Sequence, residues 1–178
     1  LTHAVVTTGV SSSGTIAELD FAEWRRVMSV NLDGAFLTLR AAMRAIRAGS
    51  GPRAIVVTGS VAGLKPEPGV AAYGSSKAAV IQLAKIAAKE AAPEGIRVNA
   101  IAPGGVDTPI WDEMPFFADL AASEGSREAA INAMAKMATP LGRYASAEEI
   151  AAQVAFLLSE DAATITGAVL ISDGGYSL

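Results

Sequence analysis

Arg53 to Ser60 reads Arg-Ala-Ile-Val-Val-Thr-Gly-Ser, an apolar run that closes on a glycine and a serine. Because consecutive positions are apolar, the run is typical of a central strand covered on both faces of a parallel sheet. A helix is predicted next, from Tyr73 to Ala92, and a further strand follows at Ile96 to Ile101. Strands separated by helices predict right-handed crossovers and a parallel sheet with helices on both of its faces.

The same alternation of strands and helices continues on both sides of this segment. On the amino-terminal side we predict a strand at Val5–Thr8 and one long amphipathic helix from Asp20 to Ala48, capped by its first residue. On the carboxyl-terminal side we predict a helix from Ser146 to Leu158 and a last strand at Ala168–Ile171. The order β-α-β-α-β-lid-α-β predicts an α/β fold, a doubly wound parallel sheet in a single domain over residues 1–178.

A stretch of weak helix and strand signals separates the third strand from the last helix. This stretch, residues 105–140, is predicted to be rich in loops. Loops of this length in compact domains are usually functional, so we expect a substrate lid. A mobile hydrophobic insert without a role in binding is the alternative. The apolar side chains that suggest a lid over an apolar alcohol or ketone are Trp111, Met114, Phe116 and Phe117.

Composition excludes several functional classes. The chain has 178 residues, of which 51% are hydrophobic and 18% charged, and this excludes an intrinsically disordered protein. The net charge of −4 argues against nucleic acid or an anionic membrane as the main partner. No apolar run approaches the roughly 18 residues of a membrane-spanning helix. With no cysteine and one histidine, His3, we expect no metal centre, and the composition fits a cytoplasmic location.

Three side chains form the strongest chemical pattern. Tyr73 and Lys77 are four residues apart at the start of a helix, so they share a face, and Ser60 follows a strand end. A lysine cation beside a phenol stabilises the phenolate and lowers the tyrosine pKa from its usual value of about 10. A serine hydroxyl can hold a carbonyl or alkoxide oxygen in place. The Tyr–Lys spacing alone is more often a solvated helix face, but Pro103-Gly104 at the neighbouring strand end favours a site.

These residues belong to a larger set of motifs in the same order along the chain. Together with Val30–Phe36, Asn99–Thr108 and the closing segment Gly167–Gly175, they resemble the short-chain dehydrogenase/reductase family over essentially the whole chain. The resemblance implies a Rossmann-like sheet, of which this chain holds only the second half, about four strands with flanking helices. It also implies NAD or NADP as cofactor and an alcohol or ketone as substrate.

The resemblance implies a role for each matching residue. Tyr73 would be the general acid or base, and Ser60 would orient the substrate oxygen. Lys77 would bind the nicotinamide ribose and lower the Tyr73 pKa. Asn31 would anchor a water in the proton relay, with a simple kink residue that bonds the backbone as the alternative. The remaining residues implied at the cofactor, besides Tyr73 and Lys77, are Gly9, Pro103, Gly104, Val106 and Thr108.

Two departures from the family pattern concern the start of the chain. Nothing before Val5 supplies the Gly-rich turn that holds a pyrophosphate, and we expect that three strands and two helices are missing upstream. The first strand would then have an exposed hydrogen-bonding edge. Residues 6–9 read Val-Thr-Thr-Gly, where the family usually has Asn-Asn-Ala-Gly.

Two hypotheses about function follow. The first is an NAD(P)-dependent oxidoreductase that acts on a small-molecule alcohol or ketone as a homo-dimer or homo-tetramer. The second is a non-catalytic or truncated family member that acts as an interaction or structural subunit without dinucleotide binding. The retained Ser60, Tyr73 and Lys77 favour the first, because a chain freed from catalysis has no stability reason to keep them together.

Overall fold

The computed structural model of the chain describes residues 1–114 and 116–178. Its strands are β1 (His3–Val6), β2 (Arg53–Thr58), β3 (Ile96–Pro103), β4 (Val106–Asp107), β5 (Ala145–Ser146) and β6 (Val169–Ser172). Its helices are α1 (Phe21–Met28), α2 (Gly34–Arg47), α3 (Ala71–Ala91), α4 (Phe117–Glu124), α5 (Arg127–Ala138) and α6 (Ala147–Leu158).

The main sheet has four parallel strands in the order β1-β2-β3-β6. Residues 54–57 of β2 are completely buried, as expected for a central strand with helices above and below it. The predicted α/β architecture, Rossmann-like with a parallel sheet and flanking helices, is confirmed. The first strand lies two residues earlier than predicted, because its pairing with β2 ends at Val6 and leaves Thr7 and Thr8 outside the ladder.

The predicted long helix over residues 20–48 is divided. Asp20 caps its start as predicted, since its carboxylate accepts a hydrogen bond of 2.9 Å from the Ala22 amide. Between α1 and α2, however, residues 29–33 form a π-helical turn. Such turns insert one extra residue per turn and often lie at functional sites. Asn31 is completely buried within this turn.

The two faces of the sheet carry different layers. Helices α2 and α3 pack on one face, where the alanine side chains of α3 at positions 84, 87, 88 and 91 are buried against the sheet and its neighbours. Helix α6 packs on the other face through Leu157, which contacts Val56 and Ile101. In the two described ranges, 1–114 and 116–178, no helix has both the length and the apolar character needed to cross a bilayer.

Residues 105–140 contain more regular structure than the sequence predicted. A 3-10 turn at 109–113 and the helices α4 and α5 occupy most of the stretch, so the prediction of a loop-rich segment is wrong. Their apolar side chains pack against each other in a separate cluster around Phe117 and Ile131, and the sheet core does not impose a clear period on them. Pro115, inside the predicted lid, lies outside the described residues. The stretch pairs with the rest of the chain at the short parallel pair β4–β5, and Tyr144 packs into its apolar cluster.

Candidate active site

A cavity of about 580 Å³ opens where the strands β1, β2 and β3 end. Parallel strands bring their carboxyl ends to one edge of a sheet, and ligands of this fold class bind there. Of the nine residues predicted for the site, Asn31 is the one that does not line this cavity. The eight lining residues that the sequence predicted are Gly9, Ser60, Tyr73, Lys77, Pro103, Gly104, Val106 and Thr108.

Ser60 is held by a short turn that follows β2. Its side chain caps the 3-10 turn at 61–63 by accepting a hydrogen bond of 3.2 Å from the Ala62 amide. This turn presses against the start of α3, so closely that a Cβ on Gly63 would lie 2.7 Å from the helix backbone. The close approach brings Ser60 and Tyr73 to the wall of the same cavity. The two side chains are thus aligned by backbone packing.

Lys77 is tied to the ends of two strands. Its side chain is buried, and the ammonium donates hydrogen bonds to the carbonyls of Thr8 (3.3 Å) and Thr58 (3.2 Å). Gly9 makes room for it, since a Cβ at that position would lie 3.0 Å from Nζ. Burial lowers the pKa of Lys77 to about 8.

The pKa of Tyr73 shifts in the direction opposite to the predicted one. Burial raises it, and the hydrogen bond from Ser60 opposes this rise. The Lys77 ammonium lies 5.8 Å from the centre of the Tyr73 ring and is engaged by the two strand-end carbonyls. The desolvation of the phenol therefore outweighs the attraction that the Tyr–Lys spacing suggested.

Asn31 is buried next to the site and stabilises it without lining the cavity. Its amide group accepts a hydrogen bond of 2.7 Å from the Val10 amide and donates one of 3.0 Å to the Val10 carbonyl. It also donates to the Ser76 hydroxyl at 3.0 Å, and Ser76 in turn donates to the Tyr73 carbonyl at 2.7 Å. Asn31 thus joins the loop after β1 to the first turn of α3, and its part in a proton relay stays a prediction.

Apolar side chains form much of the remaining cavity wall, alongside Thr7, Ser11 and Thr58. Trp111 and Met114, predicted from the sequence, line it, whereas Phe117 is buried inside the separate cluster of residues 105–140 and Phe116 is exposed. Sequence reasoning missed Ile150 of α6, because an apolar residue on a capped amphipathic helix carries no signal beyond a core position. Among the lining residues that the structure describes, only Tyr73 and Lys77 carry an ionisable group.

No group of three His, Cys, Asp or Glu side chains suited to a metal ion occurs in the parts of the chain that the structure describes.

The family profile described as Enoyl-(Acyl carrier protein) reductase matches residues 1–177. The chain belongs to the short-chain dehydrogenase/reductase family. The resemblance drawn from the sequence motifs is therefore confirmed.

Relatives within the family include both active and inactive proteins by name. The chain is 40% identical over 160 residues to cis-4-hydroxycyclohexanecarboxylate dehydrogenase of Sinomonas cyclohexanicum, a match that covers 90% of this chain and 59% of that protein. It is 37% identical over 178 residues to inactive 2-(S)-hydroxypropyl-CoM dehydrogenase 2 of Xanthobacter autotrophicus, covering 98% of this chain and 73% of that protein.

A solved structure shows the same architecture. The crystal structure of carveol dehydrogenase from Mycobacterium avium in complex with NAD superposes with a TM-score of 0.90 at 28% identity. The match covers 99% of this chain and 65% of that one. This chain therefore spans less than two thirds of the length of that dehydrogenase and about three fifths of the length of the Sinomonas relative.

Proposed function

We propose that this chain carries the acid–base site of an NAD(P)-dependent dehydrogenase that interconverts a small-molecule alcohol and the corresponding ketone. The observation that carries the proposal is the convergence of Ser60, Tyr73 and Lys77 on one cavity at the carboxyl edge of the sheet. A solvated helix face, the alternative for the Tyr–Lys pair, does not fit a lysine that is only 4% exposed. The names of the relatives and the NAD bound to carveol dehydrogenase support the same reading.

Ser60 and Tyr73 would act on the substrate oxygen together. Both side chains line the same cavity, so an oxygen that enters it beside one hydroxyl lies near the other as well. In the reductive direction, Ser60 donates a hydrogen bond to the ketone oxygen and the Tyr73 phenol delivers the proton as negative charge develops there. In the oxidative direction, the same phenol oxygen removes the hydroxyl proton. The nicotinamide cofactor, when bound, supplies or accepts the hydride at the carbon.

Lys77 would serve both the cofactor and the tyrosine. An ammonium group has three hydrogen-bond donors, and the carbonyls of Thr8 and Thr58 take two of them, which leaves one for a ribose hydroxyl. Its positive charge also stabilises the negative charge that forms on Tyr73 during proton transfer. The residues that would contact the nicotinamide end are Gly9, Pro103, Gly104, Val106 and Thr108.

Glycine backbone forms part of the cavity wall at the carboxyl edge of the sheet. Gly9 and Gly104 line the cavity, and a Cβ there would lie 3.0 Å from Lys77 Nζ at Gly9 and 2.8 Å from Asp173 at Gly104. Backbone without side chains lets a ligand approach the strand ends closely. The residues present therefore suit the nicotinamide end of a dinucleotide.

Replacement of Tyr73 by Phe tests the proposal. The variant loses the phenol oxygen and keeps the ring, so we expect turnover of alcohols and ketones to fall by about 10²- to 10⁴-fold with little change in thermal unfolding. NADH and NADPH binding, followed by cofactor fluorescence, is expected to remain. Full turnover in the variant would overturn the assignment of Tyr73.

The second candidate is a non-catalytic family member, and two observations favour it. One relative is inactive by name, and the turn at 6–9 departs from the usual family residues. The two candidates differ in dinucleotide binding by the full chain. Absence of both NADH and NADPH binding, together with absence of turnover, would establish the second candidate and exclude the first.

We also propose that a second copy of the chain packs on the outer face of α2 and α3. A groove of about 240 Å³ between these helices exposes Phe36 and Ile86, and its walls carry Arg40 and Arg44 on α2 and Glu90 on α3. Basic groups on one helix and an acidic group on the other suit a two-fold contact in which each α2 faces the partner's α3. We expect sedimentation velocity to give a dimer or tetramer for the wild type and a monomer for Phe36→Glu. A monomeric wild type would contradict the proposal.

A further inference from the structure

Two aromatic rings stack at the edge of the cavity. Trp111 and Tyr144 lie with ring centres 5.4 Å apart and ring planes within 5° of parallel. Trp111 lines the cavity, whereas Tyr144 does not and instead packs in the cluster of residues 105–140. The indole therefore forms part of the cavity wall and stacks on a second ring that does not line the cavity.

Tyr144 is fixed by its place in the chain. It directly precedes β5, and the first amide of that strand, from Ala145, donates a hydrogen bond of 3.3 Å to the Gly105 carbonyl. The tyrosine ring lies directly against Gly105, where a Cβ would be 2.4 Å from two of the ring carbons. Gly105 has a negative φ, so it is this contact, and not backbone conformation, that requires glycine. The ring therefore occupies a slot that the absent side chain leaves open.

The polar edge of the indole is already satisfied. Its Nε1 donates a hydrogen bond of 2.8 Å to the Val106 carbonyl, within the same segment. The indole is therefore left to present carbon surface to the cavity, where Ile110, Met114 and Ile150 add further apolar contacts. Among the described lining residues, the one cation is Lys77, whose ammonium is bound to strand-end carbonyls. A carboxylate, sulfonate or phosphate on the substrate would find no cation along this wall.

We propose that Trp111 is a specificity-determining residue that receives the uncharged carbon skeleton of the substrate, and that Tyr144 is a positioning residue that holds the indole in place. The inference rests on the proposed dehydrogenase function and names its substrate class. A flat indole favours alicyclic or aromatic secondary alcohols and ketones, because these bury more apolar area against it than short aliphatic ones do.

The test compares cyclohexanol with propan-2-ol as substrates of the full chain with its cofactor. In Trp111→Ala and Tyr144→Leu, we expect KM for cyclohexanol to rise by roughly two- to tenfold, the range that loss of one aromatic stacking partner gives. We expect KM for propan-2-ol and kcat for both alcohols to stay unchanged. Tyr144→Phe keeps the ring and is expected to match the wild type, and Gly105→Ala is expected to behave like Tyr144→Leu.

An equal rise of KM for both alcohols, or no rise for either, would overturn the proposal. A purely structural role for Tyr144 would lower the thermal unfolding temperature without changing the ratio of the two KM values. This outcome also contradicts the proposal. Because the ratio is measured within one variant, a partial loss of folded protein does not affect it.

A binding measurement separates this inference from the proposed function. The sequence has two tryptophans, so Trp24→Phe leaves Trp111 as the sole indole reporter. In Trp24→Phe combined with Tyr73→Phe, we expect cyclohexanone to quench the Trp111 fluorescence although turnover is lost. Absence of quenching there overturns the role of Trp111. Absence of turnover in the wild type, with quenching retained, overturns the proposed function and leaves the role of Trp111 in binding apolar ligands standing.

Discussion

The acid–base residues and the apolar wall face the same cavity, but the molecule holds them in different ways. On the acid–base side, Lys77 donates to backbone carbonyls at two strand ends, and the turn after Ser60 lies against the backbone of α3. Strands β1 and β2 and helix α3 are the same elements that build the main core. The geometry of these side chains is therefore inseparable from the fold.

Most of the apolar wall (Ile110, Trp111 and Met114) belongs to residues 105–140, which have a core of their own. Phe117, Ala130 and Ile131 form its centre, and Trp111 and Met114 pack around them. It contacts the rest of the chain at the two-residue strand pair β4–β5 and where Thr139 and Pro140 lie against Gly174 and Gly175, just after β6. We therefore expect substitutions in the wall to leave the packing of the main core unchanged.

The two regions therefore contribute different properties: one performs the reaction, and the other determines the range of substrates. Residues that perform the chemistry are placed by backbone contacts, so a substitution that displaces this backbone affects stability and turnover together. Residues that contact the substrate skeleton are placed by side chains on a separately packed segment, so a substitution there affects KM first. The two regions are best distinguished by variants that disturb one attachment at a time.

Among variants that disturb how the two regions are attached, the largest effect is expected from Gly63→Ala. The added Cβ would lie 2.7 Å from backbone atoms of Lys77 and Ala78, and backbone cannot move aside as a side chain does. We expect the free energy of unfolding to fall by about 1–3 kcal/mol. Since the turn carries Ser60, we also expect kcat/KM to fall by roughly 100-fold, as small displacements of positioned groups do. Urea unfolding and steady-state kinetics measure the two effects.

Gly34→Ala is the matched control for this variant. Gly34 has a helical φ of −61°, and a Cβ there would meet the Thr8 side chain at an ordinary 3.6 Å. We expect a gain in stability of about 0.5–1 kcal/mol, because alanine restricts the unfolded chain. If Gly63→Ala lost turnover with no loss of stability, the two properties would be separable, and the position of the acid–base residues would not depend on the packing of the main core.

Much of the acid–base side was predictable from sequence. Strand ends of a parallel sheet share one edge, so Ser60, Pro103 and Gly104 had to lie near each other once the strands were recognised. The helix period placed Tyr73 and Lys77 on one face. The direction of the Tyr73 pKa shift was not predictable, because it depends on burial by residues distant in sequence.

The wall was much harder to predict. Helices α4 and α5 bury their apolar side chains mainly against each other, so neither shows the broad stripe that a sheet imposes on a helix. Ser126 is a local signal that sequence reasoning passed over, since its side chain caps α5 through the Ala129 amide at 3.1 Å. The stack of Tyr144 on Trp111 joins positions 33 residues apart (144 minus 111) and has no period to reveal it.

A smaller effect is expected from Arg127→Gln, on the attachment of the wall. The Arg127 guanidinium donates hydrogen bonds to Asp107 (2.7 Å), to Asp112 (2.9 Å) and to the Thr108 carbonyl (2.9 Å), and so ties the start of α5 to the wall segment. Surface ion pairs contribute about 0–1 kcal/mol, so we expect the free energy of unfolding to fall by no more than that. We expect amide hydrogen exchange at residues 106–112 to become faster.

Arg47→Gln is the control, because Arg47 forms a similarly exposed ion pair with Glu94 (2.9 Å) at residues that do not line the cavity. It is expected to leave exchange at residues 106–112 unchanged. Screening by salt weakens exposed pairs, so 1 M NaCl should speed exchange in the wild type and change little in Arg127→Gln. If exchange at these residues were the same in all three proteins at low salt, the wall would be held by its apolar cluster alone. The packing around Phe117 would then be the feature that distinguishes the wall from the acid–base region.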